Sequence, residues 1–236
     1  RIDIQNRALF SKLIERMFPS INIPIITGIT IDSRNVKKGD IFIPLKGNYF
    51  DGHQFISQAK ISGASMAFID TDVSTTMITQ KVRSTKILLY NLAKKYRKEL
   101  KYPFIGITGS NGKTTTKELL YHVLSKSLNV MSTKGNFNST TGAPLSLLSF
   151  NEIADIGIIE MGANQIGEID TICDVVKPDK IVASTEIPGN VQMLNVANKL
   201  NIEPEHVPEC MLVKLDEKIS KDQIIAENKG IFGIFK

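Results

Sequence analysis

The chain has 236 residues, 42% of them hydrophobic, with a formal charge of +5 and two cysteines. That is enough apolar material for one or two packed domains, and no apolar run approaches the roughly 18 residues that a membrane-spanning helix requires. The lysines and arginines are scattered and the aromatics few, which argues against a nucleic-acid surface and favours an anionic small molecule as partner. The N-terminus lacks the basic-then-apolar layout of a secretion signal, and Cys173 and Cys210 have no metal-ligand spacing. A reduced, cytoplasmic monomer is expected, and the opening on Arg1 rather than methionine suggests a trimmed start.

In chain order, "NRALFSKLIERMF" places Leu9, Leu13, Ile14 and Met17 at helical spacing. "PIITGITID" and "DIFIPLKG" are β-branched runs ending in turn residues and read as strands. "HQFISQAKISGA" is a short amphipathic helix stopped by Gly63, followed by the strand "SMAFID". Residues 81–100 form a helix with Val82, Leu89, Leu92, Ala93 and Tyr96 inward, ended by Pro103. A second unit opens with the strand "PFIGIT", a glycine-bearing loop and a helix from Lys113 to Lys126. "APLSLLSF" and "IGEIDTICDVV" read as helices, and "ADIGIIE" and "DKIVAS" as buried strands. The alternation predicts an α/β fold: a small N-terminal α/β domain over 1–84, a linker helix 85–102, a phosphate-loop parallel-sheet domain over 103–183, and a divergent tail 184–236. In the tail, "MLVKLDEKISKDQIIAENKG" reads as a possible hairpin. Ligands of such sheets bind at the carboxyl ends of the strands.

The loop "GITGSNGKTTTKELL" departs from the general phosphate-loop spacing G-x-x-x-x-G-K-[ST], which would put its first glycine at Ile107. Its chemistry is nevertheless complete. Gly109 and Gly112 let backbone N–H groups of Gly109, Ser110, Asn111, Gly112, Lys113, Thr114 and Thr115 curl around an anion at a helix N-terminus. Lys113 supplies a cation for the β- and γ-phosphates, and the Thr114 hydroxyl can ligate Mg²⁺. A glycine-rich turn with an exposed lysine is the bland alternative. Glu160 ends "IGIIE" at the same sheet edge, where it either holds the metal beside Thr114 or is a solvated strand end.

Together "GITGSNGKTTTKELL", "STKGNFNSTTGAPLSLL" and "IIEMGANQIGEI" resemble the Mur ligase family, and the resemblance runs from about residue 5 to 183. The distinctive "GNFN…G.PL" and "EMGAN..GEI" point to the branch that joins D-alanyl-D-alanine to UDP-N-acetylmuramoyl-tripeptide. The resemblance implies ATP and Mg²⁺, a UDP-substrate-binding N-terminal domain, and peptidoglycan-precursor synthesis through an acyl phosphate. It places Ser33, Arg34, Lys46, Gly47, Asp51, Gly52 and His53 around the UDP moiety. From the residues alone, the preferred reading is an ordinary turn at Asp51-Gly52 with His53 capping the next helix. Asn136, Asn138, Ser139 and Thr140 match a loop that contacts the muramoyl-peptide and supports the metal site. Asn164 and Glu168 match a segment bordering the nucleotide, and Lys113 and Glu160 are the implied catalytic pair.

The match stops at residue 184. Where the family continues "TN.G..H", this chain has "STEIPGN", without the metal-ligand histidine. An incomplete copy or a fusion product is therefore expected, and a non-catalytic nucleotide- and UDP-sugar-binding fragment is the alternative function. A generic phosphate-loop hydrolase is a third.

Overall fold

A computed structural model describes residues 1–47, 49–183, 199–200, 202–214, 217 and 223–227. The chain divides into two compact units, Arg1–Ile187 and Pro188–Lys236.

The first unit contains two sheets. One has five strands in the order β1 (Ile2–Asp3), β2 (Gly28–Thr30), β3 (Asp40–Phe42), β4 (Met66–Ile69), β5 (Ile78–Lys81). Its β1–β2 pair is antiparallel and the rest are parallel. The other has four parallel strands, ordered β7 (Val130–Ser132), β8 (Ile156–Glu160), β6 (Phe104–Ile107), β9 (Lys180–Ala183). The expected α/β class with parallel strands is therefore present.

Helix α1 (Arg7–Met17) starts where Asn6 accepts the Leu9 N–H, and it buries Phe10, Leu13 and Ile14. α2 (Ile56–Ile61) is preceded by a 3₁₀ turn, Gly52–Phe55, and a Gly63 with φ of +102° follows it. α3 runs over Thr85–Glu99 rather than from residue 81. Two things hold back its start: Lys81 is still paired in β5 opposite Ile69, and the Ser84 side chain caps the helix by accepting from Ile87 N. α4 (Lys113–Leu124), α5 (Gly142–Leu148) and α6 (Glu168–Val176) stand where helices were expected, with α4 ending short of Lys126, α5 short of Phe150 and α6 starting after Ile166. The strands β1, β5 and β7 were not expected.

α3 is the centre of the unit. It buries Leu88, Leu89, Leu92, Ala93 and Tyr96 on one face, and it packs against α1, α5 and α6. One hydrophobic cluster consequently runs from Ile2 and Ile29 through α3 to Phe104, Leu147 and Ile172. Burying such side chains is the dominant stabilising term, at about 1.5–3 kcal/mol each. The Tyr96 hydroxyl is buried and donates to the Phe150 carbonyl at 2.7 Å, so its polar end is satisfied and its pKa is pushed up by burial.

In the second unit, a helical turn at Val207–Cys210 leads into an antiparallel bridge between Met211 and Ala226. Leu212 N donates to Ile225 O there, and Glu227 N to Cys210 O. Among the described residues no helix is long and apolar enough to cross a membrane.

Candidate active site

The parallel register sets Ile107 opposite Glu160, so the loop after β6 and the side chain ending β8 emerge at the same sheet edge. The displaced glycine is explained by packing. Gly106 lies within β6, where a Cβ would sit 2.7 Å from Met161 Cε and 3.1 Å from Pro178 Cβ. It is a strand-packing residue. The loop's own glycines are Gly109 at φ 145° and Gly112 at φ 77°, both in the region that side chains avoid. Gly112 is also the N-cap of α4 and has no side chain to occupy the exposed N–H groups of the first turn, which are left for an anion. Lys113 Nζ folds back onto the loop, donating to Gly109 O at 2.6 Å with Ser110 O at 3.4 Å. Thr115 and Asn111 are exposed at the same helix end.

Glu160 is 2% exposed. Its Oε1 accepts from Thr114 Oγ1 at 3.1 Å and from Asn138 Nδ2 at 2.8 Å. Its backbone N–H donates to Thr133 Oγ1 at 3.0 Å. Oε2 is buried with no hydrogen-bond partner, and the Lys117 ammonium lies 3.8 Å away. A buried strand-end carboxylate with a threonine hydroxyl on Oε1 and its hydrogen-bonding capacity not filled on Oε2 suits a hard divalent cation that keeps several waters and phosphate oxygens as its other ligands. Thr114 and Glu160 would hold Mg²⁺ in this way. Among the described residues no group of three or more His, Cys, Asp or Glu forms a dedicated metal cage.

Asn138 thus reaches the carboxylate. Asn136 is exposed, and Ser139 Oγ is used locally, accepting from Gly142 N at 3.1 Å to start α5. Thr140 is half-buried in the same turn. Asn164 is exposed, and its N–H is held at 2.7 Å by Glu168, which also accepts from Gln165 N. Glu168 therefore braces the loop after β8.

A second concavity, of roughly 670 Å³, opens in the N-terminal sheet region, lined by Ile31, Asp32, Ser33, Arg34, Phe42, Phe50, Gly52, Phe55 and Gln58. Ser33, Arg34 and Gly52 were expected there from the sequence; the aromatic residues were not. Asp32 caps the 3₁₀ turn Ser33–Asn35 and grips Arg34 through two bonds, Nε to Oδ1 at 2.9 Å and Nη2 to Oδ2 at 2.8 Å. That pair lowers the Asp32 carboxyl pKa and raises that of Arg34, holding the guanidinium at the cavity rim. Phenyl faces beside a fixed guanidinium suit a planar, anionic ligand.

Lys46, Asp51 and His53 instead bind one another. The His53 ring is buried, with Nδ1 at 2.5 Å from Asp51 Oδ1 and Nε2 accepting from Asp70 N at 3.2 Å. That acceptance assigns the imidazole proton to Nδ1. Lys46 Nζ reaches Asp70 at 3.4 Å and Asp51 at 3.8 Å. Burial pushes the Asp51 and Asp70 carboxyls up, but hydrogen bonds from His53 to Asp51 and from Thr85 to Asp70, with the Lys46 ammonium near both, prevail, and both end below the ordinary value. Gly47 lies against the Phe50 ring, and its N–H donates to Phe50 O. The cluster braces the turn that carries Phe50.

Gly52 is the tightest point of that turn: a Cβ would lie 2.9 Å from both Leu45 N and Leu45 O. Gly52→Ala is expected to destabilise the protein by about 1–3 kcal/mol, the usual cost of overpacking. A urea titration checks this; an unchanged midpoint would mean the turn yields freely.

The comparisons agree with this geometry. The Mur ligase family catalytic domain matches residues 25–108, and the Mur ligase middle domain matches residues 107–187. UDP-N-acetylmuramoyl-tripeptide--D-alanyl-D-alanine ligase of Bacillus subtilis is 40% identical over 179 residues, covering 75% of this chain and 39% of that relative. A crystal structure of MurF from Acinetobacter baumannii superposes with a TM-score of 0.66 at 32% identity, covering 71% of this chain and 38% of that one. MurF of Thermotoga maritima in complex with ADP matches at 35% identity with a TM-score of 0.58, covering 64% of this chain and 36% of that one. The chain thus spans about two fifths of the length of the relatives it matches. With its loop, its strand-end carboxylate and its paired domains in the family's order, the chain belongs, over residues 25–187, to the Mur ligase family.

Proposed function

We propose that this chain is the UDP-substrate- and ATP-binding portion of a MurF-type ligase, which joins D-alanyl-D-alanine to UDP-N-acetylmuramoyl-tripeptide. The observation that carries the reading is Glu160, buried at a strand end with Thr114 and Asn138 on one oxygen and no donor on the other. In this reading the glycine-loop N–H groups and Lys113 hold the β- and γ-phosphates of ATP, and Thr114 and Glu160 hold Mg²⁺. When bound, Mg²⁺ neutralises charge on the phosphoryl group being transferred. A substrate carboxylate oxygen bonds to the γ-phosphorus as the bond to the bridging oxygen of ADP breaks. The D-alanyl-D-alanine nitrogen then bonds to the acyl carbon, phosphate leaves, and the amine gives up a proton. Lys113 and the loop orient the phosphates and stabilise the charge that develops. The UDP moiety occupies the aromatic cavity, with Arg34 at its phosphates. The setting is cytoplasmic and the working form a monomer.

The second reading, binding without turnover, is favoured by "STEIPGN" at residues 184–190, which lacks the histidine that the family resemblance leads one to expect. The 236-residue polypeptide is therefore expected to bind Mg·ADP and UDP-N-acetylmuramoyl-tripeptide separately in calorimetry, yet release no phosphate when ATP and both substrates are supplied. Robust release would establish a working ligase. Binding of ADP without the UDP substrate would remove the N-terminal assignment.

A further inference from the structure

Lys117 is the one residue of α4 that is fully buried, and it is a lysine. A lysine side chain is almost never buried unless it is paired. It lies one turn beyond Lys113 and Thr114 on the helix that begins at the phosphate loop. Its Nζ donates to Thr133 O at 2.9 Å, approaches Glu118 Oε1 at 2.9 Å, and lies 3.8 Å from Glu160 Oε2. Thr133 in turn gives its hydroxyl oxygen to the Glu160 N–H, while its own N–H donates to Ile158 O. One ammonium thus ties α4, the end of β7 and the end of β8 together, immediately around the carboxylate.

The two oxygens of Glu160 are treated differently. Oε1 faces Thr114 and Asn138. Oε2 faces the ammonium. Resting on the reading of this site as a Mg·nucleotide centre, we propose that Lys117 is a positioning residue: it fixes the Glu160 carboxylate from behind so that Oε1 stays turned toward Thr114 and the loop. Lys117 does not touch the nucleotide in this scheme. Its effect reaches the metal through Glu160 alone, so it belongs to the Mg²⁺-dependent part of nucleotide binding and not to the part made by the loop.

Two opposing physical effects make the idea decidable. A buried cation repels Mg²⁺, so if Lys117 merely neutralised Glu160, its removal would tighten Mg²⁺ binding. If it positions the carboxylate, its removal loosens binding, because small misplacements of a ligand cost affinity steeply. The test is ADP affinity of the full chain measured in Mg²⁺ and again in excess EDTA, for the unaltered protein, Lys117→Met and Lys117→Gln. The glutamine keeps a donor for Thr133 O without the charge, so it carries the test if the methionine variant fails to fold. The expected result is a fall of about tenfold in the Mg²⁺-dependent gain, the lower end of what removing such a support costs, with ADP affinity in EDTA changed less than twofold. An unchanged or larger Mg²⁺ gain in either folded variant overturns the role of Lys117. Failure of the unaltered chain to bind ADP at all overturns the site itself, and Lys117's role with it.

Discussion

Replacing Lys113 with alanine is expected to weaken ADP binding by roughly 10–100-fold, the loss that follows from removing one or two charge-assisted hydrogen bonds. The ammonium already sits in the loop, donating to Gly109 O at 2.6 Å, so it is held where the phosphates of a nucleotide at the α4 N-terminus would compete for it. Exchange of a neutral carbonyl for a phosphate oxygen strengthens each bond, because the acceptor becomes ionised. Lys113 is only half-buried and contributes nothing to the hydrophobic clusters, so the melting temperature is expected to move little. Fluorescent-ADP titration beside a thermal melt separates the two effects. A loss below threefold with an unchanged melt would mean that the loop does not hold the phosphates.

The loop and Glu160 were legible because their signals are local. Gly-Lys-Thr between an apolar strand and an amphipathic helix needs no tertiary information, and a carboxylate closing an unbroken apolar run must fall at the strand's end. What escaped depends on convergence. Phe42, Phe50 and Phe55 come from a strand, a turn and a 3₁₀ segment, and only the folded chain brings them to one cavity. Lys117 could not be found from pattern, since a lysine on an amphipathic helix normally marks the solvent face. Its burial follows from where the carbonyl of Thr133 and the carboxylate of Glu160 happen to stand. His53, expected near the UDP moiety by resemblance, is engaged on both ring nitrogens by Asp51 and Asp70, a pairing invisible until residue 70 lies beside residue 53. The missed strands share a physical reason. β1, β5 and β7 are two to four residues long, and β5 buries no residue fully, so no alternating or continuous apolar signal announces them. The start of α3 was misplaced for the same reason: without β5 in view, Val82 looked like part of the helical face.

The largest stability effect is expected at Phe104, the first residue of β6, beneath the loop. Its ring is fully buried, stacked on Tyr102 at 5.1 Å and on Phe150 at 5.7 Å between centroids. The Arg97 guanidinium lies 4.0 Å from the ring centroid on α3, adding a cation–π contact in a half-buried setting. Arg97 also ties the structure together around the ring, donating to Val176 O at 2.9 Å and to Asp179 Oδ2 at 2.9 Å. Asp179 Oδ2 accepts the Phe104 N–H, and Phe104 O accepts the Asp179 N–H, each at 2.8 Å. Gly157 on β8 makes room for the ring: a Cβ there would fall 2.8 Å from Phe104 Cε1. Truncation to alanine therefore empties a space that neighbouring β8 cannot refill with a side chain of its own. Phe104→Ala is expected to cost about 3–5 kcal/mol, as large-to-small changes at buried aromatics do when the site cannot collapse. For a unit of this size that lowers the melting temperature by roughly 6–20 °C. Phe104→Leu, which keeps most of the volume, is expected to cost less than about 1.5 kcal/mol, no more than half the alanine effect. At a temperature where both variants remain folded, ADP affinity is expected within threefold of the unaltered chain, because the loop's own glycines and Lys113 are untouched. A Phe104→Ala melt displaced by less than about 3 °C would show that the stack around Arg97 reorganises instead of supporting the strand that carries the phosphate loop.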